Sequence, residues 1–276
     1  SVSLAASPVV LSQEQQRFPV SAFVGQTHIH GLAFDLSDPN YLFVATHHGL
    51  FRVGPDALTE QVSVVQDLMS FQSHPADLGI LFASGHPASG GNLGFIVSTD
   101  GGQTWTQRSL GFGGPVDFHQ MAVTPINPDV IYGSINGLQQ SIDGGETWRM
   151  AGRLPPRSVD LAVSRVSTES LYAAAPEGLY RSTDTGVNWQ LVVRDGPVSL
   201  VEIAPDGSVY AFVLGQGLLI APDEASDFAP VGSSWVDPYL FHLTIDPTDP
   251  QHFFAATGDG RIVESNDGGV TWSVLP

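Results

Sequence analysis

An eight-residue motif recurs along this chain and limits what the chain can fold into. It reads STDGGQTW at 98–105, SIDGGETW at 141–148, STDTGVNW at 182–189 and SNDGGVTW at 265–272. Successive motif aspartates are 43, 41 and 83 residues apart, and because 83 is about twice the unit length, one repeat has lost its motif. The segment 218–228 stands where that copy is expected. Such a period indicates stacked supersecondary units.

Each motif follows two short apolar runs of strand length, and a third run that ends in a turn lies further upstream. Four strands in one unit are typical of a β-propeller blade, because a lone four-stranded sheet cannot bury its faces and packs on neighbours around a ring. Six units begin near His28, Leu68, Phe118, Ser158, Val198 and Leu240. We therefore predict an all-β fold, a six-bladed β-propeller of four-stranded antiparallel blades over residues 28–276, with seven blades as the less economical count. Residues 1–27 are predicted to be an N-terminal extension that packs on the propeller.

The motif has a mechanical explanation as the hairpin between the third and fourth strands of a blade. Its aspartate can accept hydrogen bonds from turn amides, its glycines can adopt positive φ, and its tryptophan returns to the apolar layer. The four aspartates fall on separate blades, too far apart to cooperate in catalysis, and the calcium-loop pattern is absent. A structural role is therefore predicted for Asp100, Asp143, Asp184, Asp267, Trp105, Trp148, Trp189 and Trp272.

These copies resemble the Asp-box, or BNR, repeats of sialidases, sortilin-type receptors, photosystem II assembly factors and bacterial glycosyl hydrolase-like proteins. The resemblance covers about 250 residues and implies a propeller with Asp-box hairpins, but one fold hosts many activities, so it implies little about function. In sialidases the active site lies on the face opposite the Asp boxes. The resemblance therefore implies a ligand face at that end of the ring.

Composition narrows the range of partners. The chain of 276 residues has ten arginines, no lysine and 28 acidic residues, a formal net charge of −18, which makes nucleic acid a poor partner. Cysteine is absent, which excludes disulfides and thiolate metal sites. No run reaches the roughly 18 apolar residues of a membrane span, and the first ten residues lack the pattern of a signal peptide. Together with the resemblance, this predicts a periplasmic or extracellular monomer whose leader has been removed.

Four of the nine histidines lie in the stretch HIHGLAFDLSDPNYLFVATHHGL at 28–50. In a blade, the entrance to the first strand and the hairpin between the second and third strands lie at one rim, opposite the motif hairpins. Aligning the first strands predicts an apolar level below this rim at Leu32, Phe71, Met121, Leu161, Val201 and Leu243. The predicted ligand-binding residues at the rim are His28, His30, His47, His48, Met69, Asp117, His119, Asp160 and His242, with His86 on the same side.

Neutral imidazole suits copper, zinc or nickel, and a thioether such as Met69 would favour copper. The predicted ligands of a copper or zinc ion are His28, His30, His47, His48 and His119. Histidines at strand ends also donate to backbone carbonyls without any metal, so a structural role stays open for each of them. His74 and His252 are given no role.

The main functional hypothesis is a ligand-binding propeller whose histidine-rich rim takes a small ligand or a metal ion. A glycan-binding or glycoside hydrolase-like propeller is the second hypothesis, and a protein-interaction scaffold is the third. By resemblance, a sialidase site would need three convergent arginines and a tyrosine nucleophile, and only Arg157 aligns well with the rim. We expect binding rather than catalysis; if the chain is an enzyme, the candidates are Glu177, Tyr239 and Arg157.

Overall fold

Each predicted repeat unit forms one antiparallel sheet in the computed structural model. The structure describes residues 17–232, 235 and 237–276, so residues 1–16 of the predicted N-terminal extension lie outside the described residues. A short 3-10 helix spans Val20–Phe23. The described part of the chain contains no helix that is long and apolar enough to cross a membrane.

The strands follow chain order within and between the sheets. Blade 1 contains β1 (Phe18–Pro19), β2 (Ile29–Phe34), β3 (Leu42–Thr46), β4 (Gly49–Val53) and β5 (Leu58–Gln61). Blade 2 contains β6 (Gln66–Ser73), β7 (Leu81–Pro87), β8 (Phe95–Ser98) and β9 (Thr106–Ser109). Blade 3 contains β10 (Gln120–Val123), β11 (Ile131–Ser134), β12 (Leu138–Ser141) and β13 (Arg149–Gly152).

The second half of the ring repeats this arrangement. Blade 4 contains β14 (Asp160–Val163), β15 (Leu171–Ala175), β16 (Gly178–Ser182) and β17 (Gln190–Val193). Blade 5 contains β18 (Val198–Ile203), β19 (Ser208–Val213), β20 (Gly217–Pro222) and β21 (Ala229–Pro230). Blade 6 contains β22 (Leu240–Ile245), β23 (Phe253–Thr257), β24 (Ile262–Ser265) and β25 (Ser273–Val274).

The inner strands β2, β6, β10, β14, β18 and β22 are neighbours in that order, and β22 contacts β2 to close the ring. This confirms the predicted six-bladed β-propeller. Strand β1 adds a fifth strand to the outer edge of blade 1 by pairing with β5, where Phe18 lies opposite Thr59. The ring places the first-strand entrances and the second-to-third-strand hairpins at one rim, and the motif hairpins at the other.

The core of the molecule lies between the blades. Each of the six interfaces between adjacent blades holds one apolar cluster of described residues. Between blades 2 and 3, for example, Phe82 and Phe95 pack against Phe118 and Ile131. The six residues of the predicted apolar level are all buried. Sheets therefore bury both faces only by standing side by side around the axis.

The Asp box of blade 3 shows how the motif closes its hairpin. Asp143 Oδ1 accepts hydrogen bonds from Ser141 Oγ at 2.8 Å and from the Thr147 amide at 2.9 Å, and its Oδ2 accepts from Thr147 Oγ1 at 2.5 Å. The Thr147 hydroxyl, then the Thr147 amide and the Ser141 hydroxyl, lower the pKa of Asp143. Trp148 Nε1 donates to the carbonyl of Gly145 at 3.1 Å. Both carboxylate oxygens of Asp143 are therefore hydrogen-bonded within the turn.

Blade 5 keeps an aspartate where its motif is lost. Asp223 accepts hydrogen bonds from Ser164 Oγ at 2.9 Å, from the Arg165 amide at 2.8 Å and from the Tyr172 hydroxyl at 3.1 Å. All three donors belong to blade 4. The Asp223 side chain therefore links blade 5 to blade 4, whereas an Asp-box aspartate bonds within its own hairpin.

Candidate functional site

Three side chains from two blades converge at the rim. His30 lies in a bulge of β2, His47 in the turn between β3 and β4, and Asp67 on β6. His30 Nε2 lies 3.0 Å from His47 Nδ1, and His47 Nδ1 lies 2.7 Å from Asp67 Oδ2. Asp67 Oδ1 lies 3.3 Å from His30 Nε2. We call these three residues the rim triad.

Asp67 is the member of the rim triad that sequence reasoning missed. The alignment of inner strands places Met69 level with His30, so Asp67 is level with His28. That alignment therefore already indicated a rim position for Asp67. Met69 itself is half-buried on β6 opposite Ser84. Asp67 belongs to blade 2 and contacts two histidines of blade 1. An alignment of single strands does not show contacts between blades.

Burial controls the charge of His30 in the rim triad. Burial lowers the pKa of His30 to about 4, against the opposing effect of the Asp67 carboxylate. The His30 side chain is 13% exposed and that of Asp67 is 19% exposed, whereas His47 is 41% exposed. At neutral pH the His30 imidazole is therefore uncharged and has one ring nitrogen with a free lone pair.

The other two histidines of the opening stretch lie beside the rim triad. The His28 ring centroid is 5.2 Å from that of His47. His48 turns to the loop before β2, where its Nδ1 lies 3.2 Å from Thr27 Oγ1. The four histidines of residues 28–50 therefore share the rim of blade 1 but do not converge on one point.

A second group, the His86 cluster, lies further around the same rim and contains His86, Asp117 and His119. His86 Nε2 and His119 Nε2 lie 2.8 Å and 3.3 Å from Asp117 Oδ2. His86 Nδ1 donates to the carbonyl of Gly91 at 2.8 Å, and this bond, with the nearby carboxylates, raises the pKa of His86. Both ring nitrogens of His86 face oxygen acceptors, and this geometry favours the protonated imidazole beside a buried carboxylate.

Asp160 and His242, also predicted at the rim, join neighbouring blades. Asp160 Oδ2 accepts a hydrogen bond from the Val201 amide of blade 5 at 2.9 Å. His242 Nε2 lies 3.1 Å from the carbonyl of Ile29, across the junction where blade 6 meets blade 1. Burial lowers the pKa of His242 to about 4, so a neutral imidazole donates this bond. Both residues therefore have structural contacts in the inner wall of the ring.

A cavity at the centre of the ring is lined by residues of all six inner strands, and among the described lining residues Asp160 and Glu202 are the two carboxylic acids. Burial raises the pKa of Asp160 to about 7. Burial, and then the Asp160 charge, raises the pKa of Glu202 to about 8. These two acids destabilise the folded chain when they ionise, because the unfolded chain solvates both charges better.

Replacing Glu202 by glutamine is expected to stabilise the protein by about 2 kcal/mol at pH 8 and by less at pH 5. The pKa of Glu202 is about 8 in the folded chain, against an ordinary value of 4.5 in the unfolded chain. The free energy of unfolding therefore falls as the pH rises from 4.5 to about 8. Glutamine removes that loss. Urea unfolding at both pH values measures it, with the exposed Glu177→Gln as control. A Glu202→Gln variant less stable than wild type at pH 8 would contradict the assignment.

A rim pocket of about 590 Å³ opens between blades 1 and 6. Blade 1 and the segment before it contribute Gln26, Thr27, His28, His30 and His47. Blade 6 contributes Tyr239, Phe241 and Asp259. The pocket therefore combines two aromatic rings on one wall with polar groups on the other.

The aromatic wall is held in place by local structure. The rings of Tyr239 and Phe241 meet edge to face with centroids 6.4 Å apart. Gly258 lacks the Cβ that would lie 2.3 Å from the Tyr239 ring, so that ring rests on the Gly258 backbone. Phe241 lies at a register shift between Leu240 and His242, and such a bulge redirects a side chain.

The three candidate catalytic residues are not brought together. Arg157 and Glu177 form an ion pair with each other on blade 4. Tyr239 lies in the rim pocket between blades 6 and 1, and in a ring of six, blade 4 is opposite blade 1. The structure thus assembles no sialidase-like constellation from these residues.

Residues 96–107 match the model of the BNR/Asp-box repeat. Together with the ring of six blades and their motif hairpins, this defines the chain as a β-propeller that carries BNR/Asp-box repeats, as its motifs predicted.

The sequence comparisons point to one group of enzymes. The chain is 28% identical over 184 residues to the xyloglucanase Xgh74A of Acetivibrio thermocellus, a match covering 56% of this chain and 19% of that protein. It is 26% identical over 239 residues to a xyloglucanase of a Paenibacillus species, covering 66% of this chain and 23% of that protein. The matches thus span about a fifth to a quarter of the length of these relatives.

Solved structures share the fold. A GH74 enzyme of Niastella koreensis superposes with a TM-score of 0.64 at 16% identity, covering 90% of this chain and 45% of that one. The GH74 xyloglucanase of Xanthomonas campestris gives 0.60 at 20% identity, covering 95% and 47%. YCF48 bound to D1 peptide gives 0.58 at 16% identity, covering 98% and 88%. At these identities the likeness shows the propeller architecture alone.

Proposed function

We propose that this chain binds a glycan in the rim pocket. The observation that carries the proposal is the pairing of an aromatic wall, Tyr239 and Phe241, with polar side chains in a cavity of about 590 Å³. A sugar ring has apolar C–H faces and a hydroxyl edge. An aromatic ring covers the face, and imidazole, hydroxyl, amide and carboxylate groups bind the edge.

The relatives suggest the ligand class. Their printed names describe enzymes that act on xyloglucan, and we propose a branched β-glucan of that kind for this pocket. A polysaccharide does not cross a membrane, so we also propose that the chain works outside the cytoplasm.

Binding without hydrolysis is the form of the proposal that the pocket supports best. A glycosidase needs a carboxylic acid of raised pKa and a second carboxylate within about 5–9.5 Å of it. Among the described residues that line the pocket, Asp259 is the one carboxylate. The Thr257 hydroxyl, then the Arg261 guanidinium, hold the pKa of Asp259 below its usual value against the effect of burial. An ionised Asp259 accepts hydrogen bonds from hydroxyls and has no proton to give a leaving group.

The rim residues do not favour copper over other divalent transition metals. The five predicted histidines do not converge on one point, and imidazole with carboxylate suits several divalent transition metals. Among the described residues, the rim triad is the group in which three potential ligand atoms all lie within 4.8 Å of one another.

Replacing Tyr239 by alanine is expected to weaken binding of xyloglucan oligosaccharides about tenfold, through loss of ring stacking and buried area. Isothermal titration calorimetry measures this, and a reducing-sugar assay on the same samples is expected to detect no cleavage. Phe112→Ala is the matched control, because Phe112 is an exposed aromatic residue outside the pocket.

Two results would contradict the proposal. Equal affinity of the wild type and Tyr239→Ala would remove the pocket as the binding site. Steady release of reducing ends by the wild type would show hydrolysis and replace binding alone by catalysis.

A further inference from the structure

We propose that the rim triad is a binding site for one divalent transition metal ion, of which Zn²⁺ is the reference case. The ligand atoms are His30 Nε2, His47 Nδ1 and a carboxylate oxygen of Asp67, and they all lie within 4.8 Å of one another. Two imidazoles with one carboxylate form a donor set that zinc and its neighbours prefer. This site goes beyond glycan binding and does not depend on it.

The spacing of the three atoms fits a metal ion at their centre. With metal–ligand bonds of about 2.0–2.1 Å in tetrahedral geometry, ligand atoms lie about 3.3 Å from one another. The rim triad has separations of 3.0 Å between the two nitrogens, 2.7 Å from His47 Nδ1 to Asp67 Oδ2, and 3.3 Å from His30 Nε2 to Asp67 Oδ1. Each separation lies within about 0.6 Å of the tetrahedral spacing.

Hydrogen atoms bond this arrangement only weakly, because one N–H would have to be shared between two acceptors. His47 Nδ1 carries at most one hydrogen, yet it lies within hydrogen-bond distance of both His30 Nε2 and Asp67 Oδ2. Asp67 Oδ1 is buried and makes no hydrogen bond with any described residue. A buried carboxylate oxygen without a hydrogen bond is stabilised by a compensating partner, and a bound cation would supply one.

The His86 cluster contains the same residue types, and its Asp117 Oδ1 is likewise buried without a hydrogen bond, but the geometry of its histidines differs. Its two histidines both address one oxygen, Asp117 Oδ2, and the second nitrogen of His86 is already committed to the carbonyl of Gly91. A histidine whose two ring nitrogens both point at oxygen acceptors has no ring nitrogen left to offer a metal. The two groups therefore serve as site and control within one molecule.

The position of the rim triad gives the ion two consequences. His30 and His47 also line the rim pocket, so the ion would lie in the pocket wall. The ligands come from blades 1 and 2, so the ion would tie the two blades together and stabilise the folded ring by mass action.

The test is a titration of the tag-free protein, stripped of metal by chelator, with Zn²⁺ alone and a chromophoric competitor. One ion per chain is expected to bind with a Kd of about 1 μM or tighter, and Asp67→Asn and His47→Ala are each expected to weaken it at least about 100-fold. His119→Ala is the matched control, because it removes a rim histidine beside a buried aspartate, and it is expected to leave the affinity unchanged.

A thermal-shift series accompanies the titration. Zn²⁺ is expected to raise the Tm of the wild type and of His119→Ala, but not that of Asp67→Asn, a near-isosteric change that keeps the fold. Weak millimolar binding by the wild type, or equal affinity in wild type and Asp67→Asn, would overturn the site. Because no glycan is present, failure here leaves the proposed glycan binding untouched, and the reverse also holds.

Discussion

Replacing Phe118 by alanine is expected to destabilise the propeller by about 3–5 kcal/mol. Phe118 is fully buried between blades 2 and 3, and its ring centroid lies 4.8 Å from that of Trp148. It also covers Gly133, where a Cβ would come within 2.7 Å of the phenyl ring. The alanine variant therefore leaves a cavity at the centre of an interface that the whole ring depends on.

The backbone around Phe118 cannot move in to fill that cavity. Its amide donates to Ser84 Oγ at 3.0 Å, and its carbonyl accepts from Ser70 Oγ at 2.5 Å, so blade 2 holds it on both sides. Urea unfolding measures the loss, and the exposed Phe112→Ala is expected to change stability by no more than about 0.5 kcal/mol. Similar losses in the two variants would contradict this description of the core.

Gly145→Ala is the second large effect, with an expected loss of about 2–4 kcal/mol. Gly145 is the second glycine of the Asp box in blade 3 and has a φ of +88°. A Cβ there would lie 2.1 Å from the ring of Phe95, which belongs to blade 2. The corresponding glycines of the other three boxes meet the preceding blade in the same way: Gly102 against Leu50, Gly186 against Leu138 and Gly269 against Leu218.

The first glycine of the same box is the matched control. Gly144 also has positive φ, but the nearest atom to its Cβ position, Asp129 Oδ1, is 3.3 Å away. In blade 4 the equivalent position is Thr185, which adopts a φ of +59°. Gly144→Ala is therefore expected to cost only about 1 kcal/mol. An equal fall in Tm for Gly144→Ala and Gly145→Ala would show that the contact of Gly145 with the preceding blade does not contribute to stability.

The fold could be predicted from the sequence because the motif does two jobs at once. Its spacing sets the length of a blade, and its serine, aspartate and glycines close the hairpin with bonds internal to eight residues. Blades 1 and 5, which lack the motif, could still be placed by the period, since a ring has room only for whole blades. The period left residues 1–27 outside the ring, to cover a blade or add an edge strand, but it could not say that Phe18–Pro19 pairs with blade 1, because two residues have no pattern of their own.

The site was less accessible to sequence reasoning. The rim position of the histidines follows from the alternation of loop ends, and it held for both His30 and His47. The sequence did not predict that the histidines divide into a rim triad and a His86 cluster, because that division depends on which side chains of adjacent blades meet. A bulge at His30 and the position of Asp67 on the next blade decide that, and neither is encoded in the pattern of a single strand.

The most direct test of glycan binding in the rim pocket is an experimental structure of the chain with a bound xyloglucan oligosaccharide. A sugar ring is expected to lie on Tyr239, with its hydroxyls in contact with His28 or Asp259, in the pocket between blades 1 and 6. An oligosaccharide bound elsewhere on the ring, or a rim pocket that stays empty at saturating ligand, would contradict it.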